Sequence, residues 1–102
     1  MIKIKPGVQF HHISFLMPEV MRIIYMVQKM APEGYEVTIT SACDGVHRVN
    51  SSHYRGKAFD FRVKDFPTDN VLTVWQERIQ QALGTCYFVL LEKTHLHIQL
   101  NS

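Results

Sequence analysis

Four stretches of the chain have the hydrophobic pattern of β-strands. In residues 35–40, 58–63 and 95–100 apolar side chains occupy every second position, which is typical of half-buried strands. The run 85–91 is almost continuously apolar and rich in β-forming residues, which indicates a central strand. Only a short polar segment separates the last two stretches, so we expect them to form a tight hairpin. Residues 1–15 hold only a short apolar–polar alternation, from which we predict no element.

Two further stretches have the spacing of amphipathic helices. The first opens at Met17, where the following proline and glutamate suit a first helical turn, and it ends at Pro32. The second has Thr68 or Asp69 as its N-cap and ends at Gly84. Its predicted apolar stripe comprises Val71, Val74, Trp75, Ile79 and Ala82. The order of elements predicts a small α+β domain whose antiparallel sheet carries the helices on one face and the functional site on the other.

Length and composition narrow the class of protein. A chain of 102 residues that is 46% hydrophobic and 20% charged describes one domain with a core and little room for lids or appended modules. The net charge of +2 is slight and the basic residues are scattered, so we expect no nucleic-acid partner. No segment approaches the ~20 apolar residues of a membrane helix. The start of the chain lacks the apolar core of a signal peptide, so we expect synthesis in the cytoplasm. The two cysteines, Cys43 and Cys86, are too few for a disulfide framework.

Polar side chains gather on one face of two predicted strands. The apolar residues at positions 59, 61 and 63 point one way, which leaves Asp60 on the opposite face. Positions 96, 98 and 100 fill the core in the same manner, so His95 and His97 share the face away from the core. His53 lies in the polar loop before the first of these strands. Gly56 permits a turn in that loop, which allows Asp60 to face back toward His53.

Imidazole and carboxylate groups are preferred zinc ligands, and a catalytic zinc site has three protein ligands and a water. We therefore interpret His53 and Asp60 as two ligands of a catalytic Zn²⁺, with the third supplied by residues 92–97. Glu92 is the only acidic residue that adjoins the histidine pair, which suggests it as the general base. Cys43 is an alternative soft ligand in a loop beside the proposed site, although the histidine and aspartate set is complete without it.

The segment before and within the second predicted strand carries a motif. The pattern Ser51-x-His53-x-x-Gly56-x-Ala58-x-Asp60 resembles that of the zinc D-Ala-D-Ala carboxypeptidases. That family includes phage L-alanyl-D-glutamate endolysins and shares a fold with the Hedgehog signalling domain. It closes its site with an acidic residue shortly before a histidine, often as His-x-His, and this chain offers Glu92, His95 and His97. The resemblance covers residues 37–100.

The resemblance implies a zinc metallopeptidase that cuts a peptide bond in bacterial peptidoglycan, as a carboxypeptidase or as an endopeptidase of the endolysin type. Members with His-x-His use the second histidine as a ligand, which favours His97. Members with a single histidine place it three residues after the acid, which keeps His95 open. The histidine that is not a ligand would stabilise the oxyanion. The family often holds its substrate with an arginine before the motif; the usual aromatic–arginine pair is missing here, and Arg48, His47 or Arg55 could substitute.

Two other classes of function remain open. A non-catalytic zinc-binding domain of the same fold would have no need of Glu92. A phage structural or interaction domain would carry its histidines as surface residues. For the enzyme we expect a monomer whose partner is a muropeptide or stem peptide, acting on the cell wall after holin release, lysis or virion delivery. The candidate bonds are the D-Ala-D-Ala terminus, the L-Ala-D-Glu bond and a cross-bridge.

Overall fold

A computed structural model describes residues 2–10, 17–42, 57–64, 66 and 68–101. Along the chain these residues form β1 (Ile2–Ile4), α1 (Pro18–Met30), β2 (Val37–Ser41), β3 (Ala58–Arg62), α2 (Asp69–Leu83), β4 (Tyr87–Leu91) and β5 (His95–Leu100). The strands build one sheet in the order β1-β2-β3-β5-β4. The predicted α+β class is confirmed.

The expectation of a wholly antiparallel sheet is wrong. β1 pairs with β2 in the parallel sense, with Ile2 beside Val37 and Ile4 beside Ile39, whereas the other neighbouring strands are antiparallel. This first strand has only three residues, and alternation over so short a segment is a weak signal. The sheet is therefore mixed, with β1 and β4 as its edges. The prediction that the run 85–91 is a central strand is wrong, because it forms the edge strand β4, in which Phe88 and Leu90 are exposed.

The helix boundaries follow the local chemistry that predicts them. α1 has Pro18 in its first turn, where the missing N–H has no helical partner to lose. The hydroxyl of Thr68 accepts a hydrogen bond from the backbone N–H of Val71 at 3.2 Å and caps α2. Gly84 ends that helix with a φ of 87°, which glycine adopts without strain. Within the described residues, neither helix is long and apolar enough to cross a membrane.

Both helices pack on the same face of the sheet and form the core with it. Trp75 is 1% exposed, and its indole N–H donates to the carbonyl of Val27 at 3.2 Å, which ties α2 to α1. The predicted stripe of α2 is wrong in part. Val74 is 40% exposed, and Leu72 and Leu83 take inward positions instead. Both sets have helical spacing, so packing against the sheet decides which one faces inward.

Candidate metal and catalytic site

The pairing of β3 with β5 brings the predicted site residues together. Asp60 lies directly opposite His97, and Arg62 lies opposite His95. The intervening Leu96 and Ile98 are fully buried in the core, so the two histidines occupy the other face of the sheet. The parity predicted for both strands is therefore what the structure shows.

Asp60 lies between the two histidines. Its Oδ1 is 3.0 Å from Nδ1 of His97, within hydrogen-bond distance, and its Oδ2 is 3.7 Å from Nε2 of His95. Burial increases toward the aspartate: its side chain is 9% exposed, against 14% for His97 and 26% for His95. The carboxylate therefore contacts both imidazoles from the most enclosed position of the cluster.

Glu92 reaches the same cluster from the turn between β4 and β5. Its backbone N–H donates to the carbonyl of His95 at 2.9 Å, which closes the hairpin. Its Oε1 lies 3.3 Å from Nε2 of His95, and its side chain is 45% exposed. Glu92 is thus held beside a histidine while its carboxylate stays open to solvent, as a proton acceptor for a water molecule must be.

The two nitrogens of His97 both face oxygen atoms. Nδ1 faces Asp60, and Nε2 lies 2.8 Å from Oε1 of Gln99. Burial lowers the pKa of His97, but the hydrogen bonds to Asp60 and Gln99, with the charges of Asp60 and Glu92, outweigh it and raise the pKa above the ordinary 6.5. A zinc ligand must be a neutral imidazole, so metal binding at His97 would have to release this proton.

The donor set fits part of a zinc site. Carboxylate and imidazole are the groups that zinc takes, and here they converge on one face of the sheet. In the described ranges, however, no three His, Cys, Asp or Glu side chains are grouped as a metal site. Asp60 and one histidine therefore fit as two ligands of zinc, and a third ligand would have to come from outside the described ranges.

Several predicted site residues fall outside the described ranges. These are His53, the proposed third ligand, and Arg48, the proposed substrate-holding residue, together with the alternatives Cys43, His47 and Arg55. Their assignments stay predictions. Asp60, Glu92, His95 and His97 are the members of the predicted site that the structure brings together.

Sequence reasoning assigned no role to two neighbours of the histidines. Gln99 faces Nε2 of His97, and the hydroxyl of Thr94 lies 3.1 Å from Nδ1 of His95. Each contact orients an imidazole ring. The alternation of β5 already places Gln99 on the face of His97, and this signal could have identified it.

Comparisons with protein-family models, with curated proteins and with solved structures find no match to this chain. The geometry of Asp60, Glu92, His95 and His97 and the resemblance of the motif are therefore the features that indicate a function.

Proposed function

We propose that this chain is a zinc-dependent peptidase that hydrolyses a peptide bond in the stem peptide of bacterial peptidoglycan. One observation carries the proposal: Asp60, His95, His97 and Glu92 form a chain of contacts of 3.0 to 3.7 Å on one face of the sheet. Two potential ligand types and a potential base thus converge from segments that are remote in sequence, and metal-assisted hydrolysis needs these groups.

In this proposal His53, Asp60 and His97 would hold the zinc. The metal would supply a Lewis acid and lower the pKa of a bound water toward about 7. Glu92 accepts the proton of the attacking water and delivers it to the leaving amine. Its exposed carboxylate beside His95 supports this role.

His95 then donates to the oxyanion that develops on the substrate carbonyl. Its Nε2 faces both Glu92 and Asp60, which supports a role in either proton transfer or metal binding. The reverse assignment, with His95 as ligand and His97 as its neighbour, uses the same residues. Arg48 is proposed to hold the substrate, on the resemblance alone.

The test measures zinc content and muropeptide hydrolysis on the same purified variants. We expect His53→Ala to lose zinc and activity together. Glu92→Gln keeps the shape of the side chain but cannot accept a proton, so zinc stays while turnover falls by about 10²–10⁴-fold. Glu77→Gln is the matched control, since Glu77 is exposed on α2 and should leave both quantities unchanged.

The same measurements decide which of His95 and His97 is the zinc ligand. If His97 is the ligand, His97→Ala loses zinc and His95→Ala keeps it while losing turnover. The opposite result assigns the third ligand to His95. Stoichiometric zinc without hydrolysis of any muropeptide would favour the non-catalytic zinc domain. A folded chain that takes up no zinc on titration would contradict the proposal.

A further inference from the structure

A cleft of about 350 Å³ opens beside the proposed site, at the end of the sheet that β1 and β2 form. Three basic side chains line it: Lys3 and Lys5 from the N-terminal segment, and Arg62 from the end of β3. Glu36 is the acidic residue of its lining, and Tyr35 and Thr38 add hydroxyl groups. We call this feature the basic cleft.

The basic cleft concentrates positive charge. Three cations and one carboxylate give its lining a formal charge of +2, equal to the net charge of the whole chain. The carboxylate is already used, because Oε2 of Glu36 lies 3.0 Å from Nζ of Lys3. Among the described residues no carboxylate pairs with Lys5 or Arg62. Two cations therefore face the cleft with their charge available to a ligand.

The strand register places the basic cleft next to the proposed catalytic cluster. Arg62 lies opposite His95, and it shares the face of Asp60 because the two residues are two positions apart on β3. Lys3 lies beside Thr38, and the pairing of neighbouring residues on β2 and β3 brings Thr38 toward Arg62. Adjacent strands are about 4.8 Å apart. The cleft therefore extends from about 5 to about 15 Å from His95 across the sheet.

A hydrogen bond from Tyr35 holds the backbone of Arg62 in place. The phenol of Tyr35 donates to the carbonyl of Arg62 at 2.9 Å, and the Tyr35 ring packs on Phe66 with a centroid distance of 4.2 Å. The end of β3 is thus held by the packed pair of Tyr35 and Phe66. A guanidinium group on an ordered strand end offers a planar pair of N–H donors, the geometry that matches a carboxylate.

We propose that the basic cleft binds a carboxylate of the peptide substrate, about one to four residues away from the bond that is cut. An extended peptide advances about 3.3–3.6 Å per residue, so about one to four residues span the distance between His95 and the cleft. The inference rests on the proposed function, since it takes the substrate to be a stem peptide, whose D-Glu residue can carry a free α-carboxylate or the corresponding amide.

The test compares these two forms of one muropeptide in Arg62→Gln and Lys5→Gln, with Arg78→Gln as the control. Arg78 is exposed on α2, so its substitution removes the same charge from a surface away from the cleft. For the acid form we expect the KM to rise by about 3- to 10-fold in the two cleft variants, with kcat unchanged, because uniform binding is lost. The amide form should bind the native chain and the three variants equally. Thermal unfolding verifies that each variant is folded.

A titration followed by NMR separates the two proposals. The probe is the free tripeptide L-Ala-D-Glu-diaminopimelate, as acid and as α-amide, and the readout is the backbone amide shifts of Lys3, Lys5 and Arg62. If only the acid peptide shifts these amides and the protein hydrolyses nothing, the carboxylate site in the cleft is supported and the peptidase proposal is contradicted. If the protein hydrolyses the acid and the amide with equal KM, the carboxylate site in the cleft is contradicted while the peptidase proposal stands. Inorganic phosphate that shifts these residues, when the acid peptide does not, would also overturn the carboxylate assignment.

Discussion

Replacing Asp60 with asparagine in the zinc-free chain removes the charge that His97 faces and leaves an oxygen that can still accept its N–H. The two side chains are only 9% and 14% exposed, so water screens their interaction weakly. A hydrogen bond between charged groups contributes about 1.5–3 kcal/mol, against about 0.5–1.5 kcal/mol between neutral groups. We therefore expect Asp60→Asn to lower the free energy of unfolding by about 1–2 kcal/mol when His97 is protonated.

The loss should depend on pH with a defined sign. The pKa of His97 in the folded protein is raised above 6.5, because the hydrogen bonds and the negative charges around it outweigh its burial. The folded state therefore binds this proton more tightly than the unfolded state does. The resulting stabilisation is complete below the unfolded pKa and disappears as the pH rises through the folded pKa. The difference between the native chain and Asp60→Asn should thus be largest in mild acid and shrink in alkali.

Urea unfolding with a chelator present, at about pH 5.5 and about pH 9, measures this difference on either side of the titration of histidine. NMR of the His97 ring protons should show a lower pKa in the variant. Asp69→Asn is the matched control, since Asp69 is exposed in the first turn of α2 and should give a loss that is constant over this pH range. A loss in Asp60→Asn that is independent of pH, or larger in alkali, would refute the reasoning.

Two further predictions concern the sheet that carries the site. The side-chain amide of Gln80 donates to the carbonyl of Tyr87 at 3.0 Å and accepts from the N–H of Val89 at 3.2 Å, on the outer edge of β4. Gln80→Ala should therefore lower the free energy of unfolding by about 2–3 kcal/mol and promote association through the uncovered edge, as measured by urea titration and sedimentation. Unchanged stability would contradict the proposed protection of this edge by Gln80. Leu96 is fully buried whereas Leu90 is 41% exposed on the face of the histidines, so Leu96→Ala should cost about 2–5 kcal/mol and Leu90→Ala much less. Equal losses in the same unfolding assay would mean that the assigned faces are wrong.

The sequence by itself determined the features that depend on local geometry. Side chains alternate across a strand whatever its partners are, so the pattern of β3 and β5 was enough to place Asp60, His95 and His97 away from the core. Helix ends depend equally on neighbours in the chain, which is why Gly84 and the pair of candidate caps, Thr68 and Asp69, were sufficient to locate α2 to within one residue. Three predicted members of the site, Asp60, His95 and His97, were placed in this way.

Only the tertiary structure decided which of these segments meet. The alternation of a strand does not specify its partner, and the register that sets Asp60 opposite His97 depends on the packing of the whole sheet. The same packing selected Leu72 and Leu83 over Val74 as the inner face of α2. It also added the short parallel strand β1, which brings Lys3 to the cleft, because edge pairing is stabilised by contacts distant in sequence rather than by the propensity of three residues.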